Sequence, residues 1–262
     1  MEKKYLLECS VDSVESALAA EAGGADRLEL CSNLIIGGTT PTIALFEEIR
    51  KYTNIPVYVL IRPRFGDFLY TEYEADVICN EIKAFQKAGA QGVVIGSLNK
   101  DGTLNLEQMK RFITCAKNMS VTLHRAFDMC KEPLVVLEQA KQLGISTILT
   151  SGQAASSVEG IPLYQQMLEK TQGEITILAG AGINSVTIQT LLEETELRAF
   201  HMSGKEVLES EMEYRNPKVF MGLPGISEYS IWRTAQENVA VVRSILEEKI
   251  RNSSAYVIRK ED

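Results

Sequence analysis

The sequence is poor in the residues from which metal clusters and disulfide frameworks are built. Its 262 residues include two histidines, His124 and His201, and five cysteines, at positions 9, 31, 79, 115 and 130. An odd number of cysteines with no CxxC pair argues against a zinc ribbon and a disulfide framework, and two imidazoles are too few for a histidine-rich metal cluster. These absences predict a cytoplasmic protein whose functional site consists of few residues.

An excess of positive charge and a long hydrophobic run are also missing. The balance of 27 basic to 35 acidic residues gives a net charge of −8 at pH 7, which opposes nonspecific attraction to nucleic acid or anionic lipid. No window approaches the roughly 20 apolar residues of a membrane span, and no export signal is recognisable at the N-terminus. We therefore expect neither nucleic acid nor a membrane as a partner.

What the sequence does contain is a regular alternation of two kinds of segment. Eight short apolar runs have the length of strands: Tyr5–Cys9, Arg27–Cys31, Val57–Ile61, Gly92–Gly96, Val121–His124, Thr147–Thr150, Thr176–Ala179 and Ala199–Met202. Segments of helical period follow them: Val14–Glu21, Ile43–Lys51, Ala75–Ala88, Leu106–Lys117, Pro133–Leu143, Pro162–Lys170, Val186–Glu193 and finally Ile231–Ile250.

This alternation predicts a parallel sheet covered by helices, and eight units in about 250 residues favour the α/β fold known as the single (β/α)8 or TIM barrel. An open doubly wound sheet is the alternative, but neither GxGxxG nor GxxxxGK[ST] is present to support its nucleotide-binding forms. No linker divides the chain.

We expect one barrel domain over residues 1–250, with a long irregular segment at 205–230 before the last helix, and a flexible tail at 251–262. The irregular segment is unusually apolar, with Met212, Tyr214, Val219, Phe220, Met221, Leu223 and Pro224. Such a segment must pack on its own barrel or on another subunit, and we expect a homodimer or a higher homo-oligomer.

Polar residues recur at the predicted strand ends, where a barrel of this kind builds its site. Glu8, Glu29, His124 and His201 are the acid/base candidates, because two carboxyl groups and the only two imidazoles are placed there. A carboxylate between the sheet and the helices would be costly to bury, so Glu8 and Glu29 should face the barrel interior.

Other residues at the strand ends suit an anionic ligand. Arginines bind oxyanions, and glycines allow backbone N–H groups to approach a phosphate. The candidates are Arg62, Arg64, Ser151, Gly180, Gly182 and Ser203. For Arg62 the alternative is a structural ion pair with Glu29 of the neighbouring strand.

Several of these segments together resemble the signature blocks of the CutC family, named for copper homeostasis. They are ELCSN (29–33), GGTTP (37–41), IRPRFGDFLY (61–70), HRAFD (124–128), LTSG (149–152), GAGI (180–183) and HMSG (201–204). The resemblance implies a cytoplasmic, often oligomeric TIM barrel with a role in copper homeostasis. Many members have ECC at the end of the first strand, whereas this chain has Glu8-Cys9-Ser10 and so lacks one thiol.

The metal candidates are Cys9 and Cys31, with Cu(I) as the ion that the resemblance suggests. Strand alternation places Cys31 on the inward face with Glu29 and turns Cys9 towards the helices, which does not favour a shared site. The alternative interpretation is that Cys9 and Cys31 are simply small hydrophobic residues buried in the core. Two functional hypotheses therefore stand: a copper homeostasis protein that binds copper, and an enzyme-like barrel that binds a small anionic, phosphorylated ligand.

Overall fold

The computed structural model describes residues 5–222 and 225–258 and shows a closed barrel of eight parallel strands. Each strand pairs with the next, and β8 closes the barrel on β1. The strands are β1 (Leu6–Val11), β2 (Arg27–Leu30), β3 (Val57–Leu60), β4 (Gly92–Ile95), β5 (Ser120–Leu123), β6 (Thr147–Thr150), β7 (Thr176–Ala179) and β8 (Ala199–Met202). The predicted TIM barrel is confirmed.

Helices follow the strands and cover the outside of the barrel. They are α1 (Val14–Ala22), α2 (Ile43–Ile49), α3 (Glu72–Ala88), α4 (Leu106–Ala116), α5 (Pro133–Gln142), α6 (Ile161–Thr171), α7 (Thr187–Glu194) and α8 (Gln236–Ile258). The third begins three residues before the predicted Ala75, because Thr71 and Glu74 form a capping box that satisfies two free N–H groups. None of the helices in the described ranges is long and apolar enough to cross a membrane.

The structure differs from the sequence prediction around residues 205–258. The segment expected to be irregular begins with strand β9 (Lys205–Glu209), which pairs antiparallel with β10 (Ser230–Thr234). The expected start of the last helix at Ile231 is therefore a strand, and α8 continues to Ile258 through most of the expected tail. Residues 1–4, 223–224 and 259–262, including Leu223 and Pro224, lie outside the described residues.

Strand alternation divides the apolar residues into two layers. One set of strand residues packs against the helices in a large cluster that includes Leu7, Cys9 and Leu28. The other set fills the barrel interior in two small clusters: Leu149, Leu178 and Ala199, packed with Leu6; and Cys31, Leu60 and Val94. Buried polar side chains, among them Glu8, Arg27 and Glu29, share the barrel interior with these apolar clusters.

Candidate functional site

A cavity of about 1260 Å³ opens at the carboxyl ends of the strands. Seven of the residues proposed from the sequence contribute to its lining: Glu29, Cys31, Arg62, His124, Gly182, His201 and Ser203. Two further walls come from outside the strand ends, namely Phe68 from the loop after β3 and Trp232 from β10. The cavity is large enough for a small organic ligand.

Glu8, Arg27, Glu29 and His201 form a buried polar array inside the barrel. Strand register places Glu8 opposite His201 on one side and Arg27 on the other. His201 Nδ1 lies 2.8 Å from Glu8 Oε1, its Nε2 lies 3.7 Å from Glu29 Oε2, and Arg27 Nε donates to Glu8 Oε2 at 2.5 Å. Glu8 therefore joins a histidine and an arginine, while Glu29 lies beside the same histidine.

The electrostatics of this array give its two carboxyl groups different properties. Burial raises the pKa of Glu8, but the charges of Arg27 and His201 outweigh burial and leave this pKa below its usual value. Burial keeps the pKa of Glu29 above its usual value. Burial alone would lower the pKa of His201, but the hydrogen bond that its Nδ1 donates to Glu8 and the charge of Glu29 raise it overall. The array thus holds an ionised carboxylate, an imidazole that binds its proton more tightly than usual, and a carboxyl group that is easily protonated.

Arg27 belongs to this buried array and was not among the candidates predicted from the sequence. Its guanidinium lies 4.0 Å over the ring of Tyr58, and its side chain is 9% exposed. The alternation of side chains that places Glu29 in the barrel interior also predicts Arg27 there, because residues 27 and 29 share a face of β2.

Arg62 lies in the mouth but does not form the ion pair with Glu29 that was one of its two interpretations. Its guanidinium donates to the backbone oxygens of Gly38 at 3.1 Å and Gly66 at 2.6 Å, and more weakly to that of Gly37 at 3.3 Å. Arg62 is buried, with only 8% of its surface exposed, and yet no carboxylate pairs with it in the described part of the chain. Burial lowers the pKa of Arg62, as expected for a cation without a counter-charge.

His124 differs from the acid/base group expected at this position. Its Nδ1 accepts a hydrogen bond from the backbone N–H of Ala126 at 3.1 Å, which fixes the neutral ring with its proton on Nε2. Burial, together with the charge of Arg62, lowers the pKa of His124 to about 3. The imidazole therefore stays neutral near pH 7, where it can donate a hydrogen bond but is not poised to exchange a proton.

Three of the proposed anion ligands are engaged elsewhere. Arg64 pairs with Glu74 and Asp67. Ser151 donates to Asp128, a buried carboxylate that also accepts from Thr150 and was not singled out from the sequence. Gly180 serves packing, because a Cβ there would lie 2.8 Å from a methyl carbon of Leu149. None of these three residues lines the cavity.

The structure does not bring Cys9 and Cys31 together. Cys9 belongs to the cluster between the strands and the helices, whereas Cys31 lies inside the barrel with Leu60 and Val94. Burial raises the pKa of Cys9 to about 12, and burial together with the charge of Glu29 raises the pKa of Cys31. Within residues 5–222 and 225–258, no group of three or more His, Cys, Asp or Glu residues is arranged to hold a metal ion. These donors do not fit a two-thiolate Cu(I) site.

Comparison with known proteins identifies the family. The CutC family profile matches residues 5–206, which is most of the chain. The chain belongs to the CutC family. A CutC family protein from Pasteurella multocida is 42% identical over 241 residues, which cover 92% of this chain and 98% of the relative. A human protein named copper homeostasis protein cutC homolog is 41% identical over 242 residues, which cover 92% of this chain and 89% of the relative.

A solved structure of CutC from Streptococcus agalactiae has the same fold. It superposes with a TM-score of 0.73 at 25% sequence identity and covers 76% of this chain and 98% of that protein. The sequence resemblance to the CutC family is therefore confirmed, together with the TIM barrel that it implied. The family match ends at residue 206. It therefore includes only the first two residues of β9 and none of β10 or α8.

Proposed function

We propose that this CutC family member serves copper homeostasis, as its relatives of that name do, through a small-molecule site at the mouth of the barrel. In this proposal Arg62 binds an anionic group of the ligand, and Glu29 with His201 exchanges a proton with it. The observation that carries the proposal is a buried arginine that lines a cavity and has no carboxylate partner in the described chain. An anionic ligand would supply the missing counter-charge.

The buried array supports a proton-transfer role beside this anion site. Glu8 is not part of the cavity lining, and the hydrogen bond that it accepts from Nδ1 holds the His201 ring so that Nε2 faces Glu29. Such a carboxylate orients an imidazole and favours its charged form. Glu29 and His201 both line the cavity, where they can reach a bound molecule.

Direct copper binding is the second candidate. The names of the human and mouse relatives favour it, and Cys31 lines the cavity. A Cu(I) ion at Cys31 would need a second soft ligand other than Cys9, since Cys9 lies on the other side of the strand layer. In this second candidate the mouth arginine is not required.

Thermal unfolding and copper competition together separate the two candidates. Phosphate, sulfate or acetate is expected to stabilise the wild type, by about 2.7 kcal/mol at a hundredfold excess over the dissociation constant. This stabilisation should disappear in Arg62→Ala. It should persist in Cys31→Ser. It should also persist in the control variant Arg111→Ala, because Arg111 is a partly exposed residue that pairs with Glu72 and Asp76.

The opposite pattern would contradict the mouth proposal. Tight Cu(I) binding, measured against a competing chelator, that is lost in Cys31→Ser and kept in Arg62→Ala would assign the function to the thiol. Wild-type protein that none of the three anions stabilises would contradict the anion site itself.

We also propose that the protein is a cytoplasmic homodimer. Its cysteines at 9, 31, 79, 115 and 130 are all free, as suits a reducing compartment. Between β9 and β10 the chain exposes several large apolar side chains, which a partner subunit would cover: Met212, Tyr214, Val219, Phe220 and Met221. Light scattering at micromolar concentration should give twice the chain mass of 29.1 kDa, and a single chain mass would contradict the dimer.

A further inference from the structure

The imidazole of His124 carries an N–H group that finds no acceptor among the residues that the structure describes. Its proton is on Nε2, since Nδ1 accepts from the N–H of Ala126. Nε2 is buried and has no hydrogen-bond partner within the described residues. Buried polar groups are nearly always satisfied, so an unpaired donor on a residue that lines a cavity points to an acceptor supplied from outside the chain.

The position of this ring is built into the barrel. Gly96, which directly follows β4, makes room for it, because a Cβ at that position would lie 2.6 Å from both Cε1 and Nδ1 of the imidazole. On another side the ring contacts Phe68, with the two ring centroids 4.7 Å apart. A glycine, an aromatic wall and a backbone hydrogen bond therefore hold His124 in one orientation.

Arg62 lies against the same aromatic ring. Its guanidinium carbon is 4.9 Å from the centroid of Phe68, and its charge is near enough to lower the pKa of His124. Within residues 5–222 and 225–258, a cation without a carboxylate partner and a neutral donor without an acceptor thus share one wall of the mouth cavity. Neither group can satisfy the other, since both are donors.

We propose that Arg62 and the Nε2–H of His124 together bind the carboxylate of a small organic acid, with Phe68 as the flat wall of this subsite. A carboxylate is planar, carries one negative charge and has two acceptor oxygens, which match one cation and one neutral donor. A phosphate dianion would bring a second negative charge, and Arg64, the nearest arginine in sequence, is already paired with Glu74. This inference rests on the proposed small-molecule site and names the class of its ligand.

The chain offers a direct spectroscopic test, because it contains only two histidines. In protein labelled with 15N-histidine, acetate and inorganic phosphate are titrated separately at pH 7 while the imidazole signals are recorded. Acetate should shift the His124 Nε2–H signal in a saturable manner and bind at least tenfold more tightly than phosphate. Arg62→Ala should weaken acetate binding at least tenfold, and Arg111→Ala should leave it unchanged.

Two variants of His124 test the donor itself by acetate-dependent stabilisation. His124→Gln can place an amide N–H near the position of Nε2 and should retain most of the acetate affinity. His124→Asn can replace only the acceptor for the Ala126 N–H and not the donor, so its affinity for acetate should fall at least tenfold. Equal loss in both variants would overturn the role of the donor.

The wild-type spectra decide the proposal even if a variant fails to fold. His124 signals that do not respond to acetate would overturn it, and so would phosphate binding as tight as that of acetate. A third outcome separates this inference from the proposed function. If phosphate stabilises the wild type but not Arg62→Ala, and the His124 signals do not shift, the anion site at Arg62 is supported and the carboxylate subsite is contradicted.

Discussion

Glu8→Ala is expected to lower the free energy of unfolding by about 3–5 kcal/mol, because it leaves the buried guanidinium of Arg27 without its carboxylate. The same change removes the hydrogen bond from His201 Nδ1. The pKa of His201 should then fall, since burial would act on the imidazole with less opposition. Chemical denaturation measures the first effect, and NMR titration of the His201 ring measures the second.

A matched control is available on the barrel surface. Glu169 is exposed on α6, and Glu169→Ala should change the unfolding free energy by no more than about 0.5 kcal/mol. Glu8→Gln keeps the hydrogen-bonding capacity and loses the charge, so it should fall between the two alanine variants in stability. A Glu8→Ala protein with the wild-type denaturation midpoint would show that the buried array does not hold the barrel together.

Acid should destabilise the protein through His124. The folded-state pKa of this histidine is lowered to about 3 from its ordinary value of 6.5. As the pH falls below 6.5, the unfolded chain takes up a proton that the folded chain excludes, so stability is lost by about 1.4 kcal/mol per pH unit. The contribution of His201 has the opposite sign: it is fully present below 6.5 and is lost as the pH rises through its raised folded-state pKa.

Comparison with His124→Asn isolates this effect, because the other titrating groups remain in both proteins. Between pH 6.5 and 4.5 the unfolding free energy of the wild type should fall by about 2.3 kcal/mol more than that of the variant. Parallel stability curves for the two proteins would contradict this, since they would mean that His124 takes up a proton equally readily in the folded and the unfolded chain.

The periodicity of apolar residues in the sequence predicted several strands and the direction of their side chains. Three predicted strands, including Thr147–Thr150, have the observed bounds, and the alternation of side chains correctly placed Cys9 and Cys31 in different layers. Both results follow from local chemistry, because a parallel strand buried on both faces is a short apolar run whose residues alternate between two environments.

What lay outside regular strands was harder to predict. Arg62 follows β3 in a loop, and its actual acceptors are carbonyl groups of Gly37, Gly38 and Gly66, which no side-chain pattern reveals. The β9–β10 hairpin was missed because its two strands are separated by about twenty residues rich in Glu, Gly and Pro. Sequence spacing predicts contacts within a repeating unit, but not contacts that depend on the path of a long connection.

The neutral state of His124 also could not be read from the sequence. Its position at a strand end suggested proton transfer, but the pKa depends on complete burial and on the nearby charge of Arg62. Both are properties of the closed barrel, since His124 and Arg62 follow strands that are not adjacent. The chemistry of the two histidines therefore diverges only once the fold has formed.

We propose that the working site is an anion site at the barrel mouth rather than a thiolate copper site. The most direct test is a crystal structure of the protein soaked separately with acetate, with phosphate and with Cu(I) under reducing conditions. We expect anion density beside Arg62 and no Cu(I) bridging Cys9 and Cys31. Ordered copper at Cys31 together with an empty Arg62 pocket in both anion soaks would contradict it.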